Sequence, residues 1–228
     1  MESFLPAFLF ALAAVTLAEM GDKTQLLAMA FAAKYKTSKV LLGVFIATVL
    51  NHTLAVAFGN LITRFEAIET AIEVLASISF IFFGLWTIKG DKLDGEEKRT
   101  TRFGAVATVA IAFFIAEMGD KTQLATVALA AKFPYSPLAI LTGTTLGMLL
   151  ADGLGILAGH ALQKKIPERK IKFVSAGVFI LFGILGIYQS MRDDFKLNIA
   201  LTSLIIALTA VLSVLAAAFI LRRYDKKT

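Results

Sequence analysis

Two stretches of this chain are the same nine residues, Ala18-Glu19-Met20-Gly21-Asp22-Lys23-Thr24-Gln25-Leu26 and Ala116-Glu117-Met118-Gly119-Asp120-Lys121-Thr122-Gln123-Leu124. An unbroken identity of that length, at an offset of 98 positions, marks an internal duplication. The correspondence runs outward in register. Gly43 and Gly59 match Gly143 and Gly159 at an offset of 100, and Phe80-Ile81-Phe82-Phe83-Gly84 matches Phe179-Ile180-Leu181-Phe182-Gly183 at 99.

Both copies lie inside long apolar runs. A chain of 228 residues that is 57% hydrophobic, with a mean hydropathy of +0.76, carries more apolar surface than one water-soluble core can hide, so the bilayer is its solvent. Crossing the hydrocarbon takes ~20 mainly apolar residues. Seven windows qualify, at roughly 5–33, 40–62, 68–88, 104–131, 137–161, 172–190 and 198–221. The first and fourth are too long for a straight perpendicular crossing of a ~30 Å core and are expected to tilt or break. The first begins without a basic leader and outruns a signal-peptide core, so it reads as a mature spanning helix.

The sequence therefore predicts an all-α polytopic membrane protein, with residues 1–228 forming a single membrane domain. Residues 1–90 form a first three-helix unit, 103–190 a second, and 197–228 an additional helix with a basic tail. Because three is odd, the second unit crosses in the opposite sense, which makes an inverted-topology repeat. Seventeen Lys and Arg fall in the loops and tail of one side and four on the other, leaving only Lys23 and Lys121 inside the repeated segments. The positive-inside rule then puts the N-terminus outside and the C-terminus in the cytoplasm.

Glu19 and Glu117 sit near the centres of their windows, where an ionisable side chain costs at least ~2.5 kcal/mol. Such residues need a functional reason or a structural one. On a continuous helix Glu19, Asp22 and Lys23 share one face, with Gln25 a step beyond Asp22. Gly21 between the carboxylates equally permits local unwinding that frees backbone carbonyls. The structural alternative pairs Glu19 with Lys23 and uses the polar groups to hold helices together. An antiparallel meeting of the two segments gathers Glu19, Asp22, Glu117 and Asp120 with Lys23 and Lys121, a formal charge of −2. One divalent cation or two protons would balance it, which is the logic of proton-coupled antiport. Carboxylate, amide and hydroxyl oxygens of Glu, Asp, Gln25, Gln123, Thr24 and Thr122 are hard donors that suit Mn²⁺, Ca²⁺ or Mg²⁺ better than copper or zinc. Met20 and Met118 could add thioethers, though methionine is also ordinary helix filling.

The doubled Glu-x-Gly-Asp-Lys-Thr signature resembles that of the GDT-type cation exchangers, which include bacterial manganese exporters and Golgi Mn²⁺/Ca²⁺ transporters. The resemblance covers both halves. It implies export of Mn²⁺, or of Ca²⁺ next, exchanged against protons, with the motif acids Glu19, Asp22, Glu117 and Asp120 as the cation site, to which the hard-donor reading adds Gln25 and Gln123. Lys23, Thr24, Lys121 and Thr122 are then supporting groups. Bacterial members resemble bare two-times-three bundles, so the helix at 198–221 is a departure. The expected location is a bacterial inner membrane.

Other polar residues carry weaker signals. His52 aligns with Asp152 at the offset of 100, with Asn51 beside it; the pair reads as a gate or proton route, or as groups satisfied by helix–helix hydrogen bonds. Glu73 and His160 lie near window ends, where water is close. The basic clusters suit topology and anionic headgroups, with no continuous face for nucleic acid. No cysteine exists for disulfides or thiolate metal sites. No resident cofactor is expected. The partners expected are the divalent cation and the lipid bilayer, and a homo-oligomer is compatible with the sequence. The chain lacks His-Glu-x-x-His and Gly-x-Ser-x-Gly, which argues against an enzyme. The competing reading is export of a small organic solute such as an amino acid, disfavoured by the acidic site.

Overall fold

The long apolar window at the start of the chain does not fold as one helix. In the computed structural model α1 (Phe4–Glu19) ends at the first motif carboxylate, and α2 (Lys23–Ala32) leaves at an angle of 74° to it. Gly21 makes the corner at φ +77°, a left-handed conformation that glycine adopts without steric cost. The duplicated segment repeats the device. Here α5 (Ala105–Glu117) ends at the second carboxylate, Gly119 turns at φ +74°, and α6 (Lys121–Lys132) follows. The expected tilt or break is thus a break in both copies.

The other helices run unbroken: α3 (Thr37–Ile62), α4 (Glu69–Lys89), α7 (Pro137–Gln163), α8 (Glu168–Asp193) and α9 (Ile199–Tyr224). The structure describes residues 4–63, 69–89, 95, 98, 101, 103–163 and 168–224, with only the backbone of 69, 89, 158–163, 168–171, 223 and 224. Among the described residues α3, α4, α7, α8 and α9 are each long and apolar enough to cross a membrane, and the bent α1/α2 pair makes a sixth candidate. That is one fewer than the seven windows. α5 has 13 residues and rises only about 20 Å, short of the ~30 Å hydrocarbon core, so the fourth window could cross only as α5 and α6 together. Of the basic residues used to orient the chain, Arg64, Lys92, Arg99, Arg102, Lys164, Lys165, Lys226 and Lys227 lie outside the described residues.

Corresponding positions in the two halves make corresponding contacts. α1 packs along α7 and α5 along α3. A Cβ at Gly143 would lie 2.6 Å from the Phe8 carbonyl oxygen and 2.9 Å from Ala11 Cβ. One at Gly43 would lie 2.9 Å from the Val106 oxygen and 2.7 Å from Val109 Cβ, the same two positions 98 residues on. Glycine permits these backbones to touch. α4 and α8 pack on each other, Gly84 against Ala176 and Ile180, and Gly183 against Ser77 and Ile81. Between them Phe80 stacks on its own counterpart Phe179, ring centroids 6.1 Å apart.

Two apolar clusters flank the helix breaks. One is centred on Phe80, Phe83, Leu129 and Phe179, the other on Leu27, Phe31, Phe113 and Met148. α9 leans on α4 and α8 and leaves Leu204, Leu208, Val211 and Leu215 exposed, as a lipid-facing helix does.

Candidate functional site

The two breaks place opposite helix ends beside the same charged residues. The last residue of α1 is Glu19 and that of α5 is Glu117, at ends whose free carbonyls carry partial negative charge. Asp22 and Asp120 stand at the N-caps of α2 and α6, where amide hydrogens point outward and acids are favoured. Asp120 accepts a hydrogen bond from the Lys121 amide at 2.5 Å. Gln25 and Gln123, each three residues past the cap, reach back to the corner: the Gly21 amide donates to Gln25 Oε1 at 3.0 Å and the Gly119 amide to Gln123 Oε1 at 2.7 Å.

The break also redirects the lysines. The helical stripe on which Glu19, Asp22 and Lys23 share a face does not form, because the chain turns between Glu19 and Lys23. Lys23 instead pairs with Asp120 of the other segment (Nζ to Oδ2 3.4 Å), and Lys121 pairs with Asp22. The pairing is reciprocal. Lys121 is 2% exposed, whereas the Lys23 side chain keeps 15%. With both aspartates matched by lysines, the formal −2 of the six motif groups rests on the glutamates.

Those two glutamates differ. Glu19 accepts from both threonines, Thr24 of its own segment at Oε2 and Thr122 of the other at Oε1. Glu117, 1% exposed, has no hydrogen-bond partner at either oxygen among the described residues. It lies within electrostatic reach of Glu19, Asp120, Asp22 and Lys23, so the acids of both segments share one region. Burying such a carboxylate unbalanced costs several kcal/mol, which a cation or a proton removes. Among the described residues no three acidic or imidazole groups stand close enough together to hold a metal ion between them.

Asp152 on α7 is fully buried and neither oxygen has a hydrogen-bond partner among the described residues. It feels the charges of Glu19 and Asp22 and so adjoins the first segment. His52, its counterpart on α3, is equally buried, and among the described residues neither ring nitrogen has a hydrogen-bond partner and no charged group acts on it. Matching positions therefore have different surroundings. Asn51 beside it donates to the Phe114 carbonyl of α5 at 3.3 Å. Met118 is half exposed and lines an apolar cavity of about 570 Å³ between α3, α4 and α6, with Phe58, Leu75, Phe82 and Gln123. Glu73 is exposed near the start of α4. The His160 side chain lies outside the described residues.

Two contributions escaped the sequence reading. Ser175 on α8 donates to the Leu17 carbonyl, which the end of α1 leaves without a helical partner. Asp22-x-x-Gln25 and Asp120-x-x-Gln123 have the spacing of a capping box, which marks a helix start immediately after each glycine, although the glutamines accept from the glycine amide before the cap and Asp22 makes no cap hydrogen bond. The signal was present at the residue level.

Buried acids and lysines between broken helices, inside a bundle of membrane-crossing helices, define an integral membrane protein with a charged interior centre. The chain belongs to the divalent cation/proton antiporter GDT1 family, which matches it over residues 7–95 and 105–194, once across each half. It is 40% identical to the "Putative manganese exporter" of Vibrio cholerae over 184 residues, covering 80% of this chain and 91% of that one. It is 29% identical to "GDT1-like protein 5" of Arabidopsis thaliana, covering 81% and 96%. No solved structure matches the chain.

Proposed function

We propose that this protein is a secondary active transporter that exports a divalent cation, Mn²⁺ first and Ca²⁺ next, from the cytoplasm in exchange for protons. The observation that carries the reading is the pair of buried glutamates left over when the lysines have neutralised the aspartates. Their two formal charges are balanced by one M²⁺ or by two protons, never by both at once, and that exclusion is the coupling. Asp22 and Asp120 join the glutamates around the cation as Lys23 and Lys121 give way. Thr24 and Thr122 orient Glu19. Asp152, beside Glu19 and Asp22, passes ions or protons between the centre and one side, and His52 occupies the equivalent station of the other half.

The duplication supports alternating access. Reciprocal contacts are the mark of a twofold relation, in which position i meets j and j meets i. The Lys23–Asp120 and Lys121–Asp22 pairs, the Gly84 and Gly183 crossings and the Phe80–Phe179 stack all have that form. They support two inverted units, 1–90 and 103–190, rocking about the centre, with the additional helix of 197–228 outside them. In this reading the N-terminus is outside, the C-terminus is cytoplasmic and the membrane is a bacterial inner membrane, as the kinship with the Vibrio protein suggests.

The test is flux in proteoliposomes holding the purified full chain. An imposed pH gradient should drive uptake of Mn²⁺, and of Ca²⁺ more weakly, with counterflow of protons. Amino-acid flux without a divalent requirement would overturn the proposal in favour of an organic solute.

A further inference from the structure

Gln25 and Gln123 were expected to lend amide oxygens to the cation, yet their amides are engaged at both ends. Gln25 Oε1 accepts from the Gly21 amide and its Nε2 donates to the Ala151 carbonyl on α7 at 2.6 Å. Gln123 Oε1 accepts from the Gly119 amide and its Nε2 donates to Asn51 Oδ1 on α3 at 3.4 Å. Residue 51 is the counterpart of 151, so both glutamines tie the corner of a broken helix to the same site on the facing long helix. The first tie is further seated by Gly155, one turn beyond Ala151. A Cβ there would collide with Gln25, whose side-chain atoms are its three nearest contacts.

We propose that Gln25 and Gln123 are positioning residues rather than cation ligands: each is a strut that fixes a glycine corner, and with it the neighbouring glutamate, to α7 or α3. The strut needs an acceptor for the glycine amide and a donor for the long helix, a combination that a neutral amide supplies and a carboxylate does not. The two struts are unequal. The Gln25 tie is the shorter and is seated by Gly155, so the first corner is held to α7 more firmly than the second is to α3. This role deepens the proposed exchange, and one of its readouts does not depend on transport.

The test uses the full chain in nanodiscs and proteoliposomes with Gln25→Met, Gln25→Glu and Gly155→Ala. In Gln25→Met, hydrogen exchange at the Gly21 amide should accelerate roughly fivefold or more, the loss of one hydrogen bond. Gln25→Glu keeps the acceptor and the size, so it should retain that protection. It still puts a carboxylate against the Ala151 carbonyl, and Mn²⁺ turnover should fall about tenfold with KM and the Mn²⁺/Ca²⁺ preference unchanged. Gly155→Ala should lower turnover alike, and combining it with Gln25→Met should add little. The matching Gln123 variants should have smaller effects. A Gln25→Glu protein that binds Mn²⁺ more tightly or changes its preference while keeping turnover would make Gln25 a ligand and overturn the proposal. So would unaltered Gly21 exchange in Gln25→Met. A wild type that moves no divalent cation, with Gly21 exposed by Gln25→Met, would sink the proposed function and leave the strut standing.

Discussion

Lys121 is buried beside Asp22 and within reach of Glu19 and Asp120, and each of those acids is also buried. Removing a cation from such a place leaves a carboxylate unbalanced in a medium that hydrates it poorly. Lys121→Met should therefore lower stability by about 3–5 kcal/mol, read as a shift in thermal unfolding of the nanodisc-held protein. Lys23→Met should cost clearly less, because that side chain is less completely buried and its ion pair is long. Adding Asp22→Asn to Lys121→Met should restore much of the loss. Equal, small effects at the two lysines would contradict the assigned pairs. At this scale the acids were legible, since charge within an apolar run needs no partner to be noticed. The partners were not. Helical spacing pairs Glu19 with Lys23, and only the meeting of two distant segments sends each lysine to the other's aspartate.

At the scale of single elements, the break is what converts two apolar windows into a centre with four helix ends. Gly119 isolates its cost: its φ is +74° and a Cβ there would meet nothing within 4 Å, so Gly119→Ala changes backbone strain alone. The expected penalty is about 1–2 kcal/mol. Gly177→Ala in α8 is the natural control, for it too meets nothing but has ordinary helical φ, and it should be neutral or stabilising by up to about 1 kcal/mol. Thermal unfolding of both variants checks the pair, and a tolerated alanine at 119 would contradict the corner. Window length already foretold a tilt or a break, and Gly21 marked where it could fall. Hydropathy alone could not choose between them, because it averages over the corner; the Asp-x-x-Gln spacing of a helix start makes the choice. The shortness of α5 was illegible for the same reason, since α5 and α6 merge in one apolar average.

At the scale of the whole molecule, duplication was the most legible property, because nine identical residues outweigh any propensity. How the copies meet was less so, since nothing in the spacing says that Phe80 stacks on Phe179. The orientation proposed from charge has a direct check, as the chain has no cysteine of its own. Single cysteines replacing the exposed Lys36 in the α2–α3 turn and Lys196 before α9 should be labelled from opposite sides of intact cells, Lys36→Cys only after permeabilisation. Labelling of both from one side would refute the inverted arrangement. The central claim is that Glu19 and Glu117 jointly hold one divalent cation or two protons. The most direct measurement of it is pH-gradient-driven Mn²⁺ uptake by proteoliposomes containing the wild type, Glu19→Gln or Glu117→Gln. We expect uptake by the wild type and loss of exchange in each variant despite intact folding; uptake at the wild-type rate by either variant would contradict the shared site.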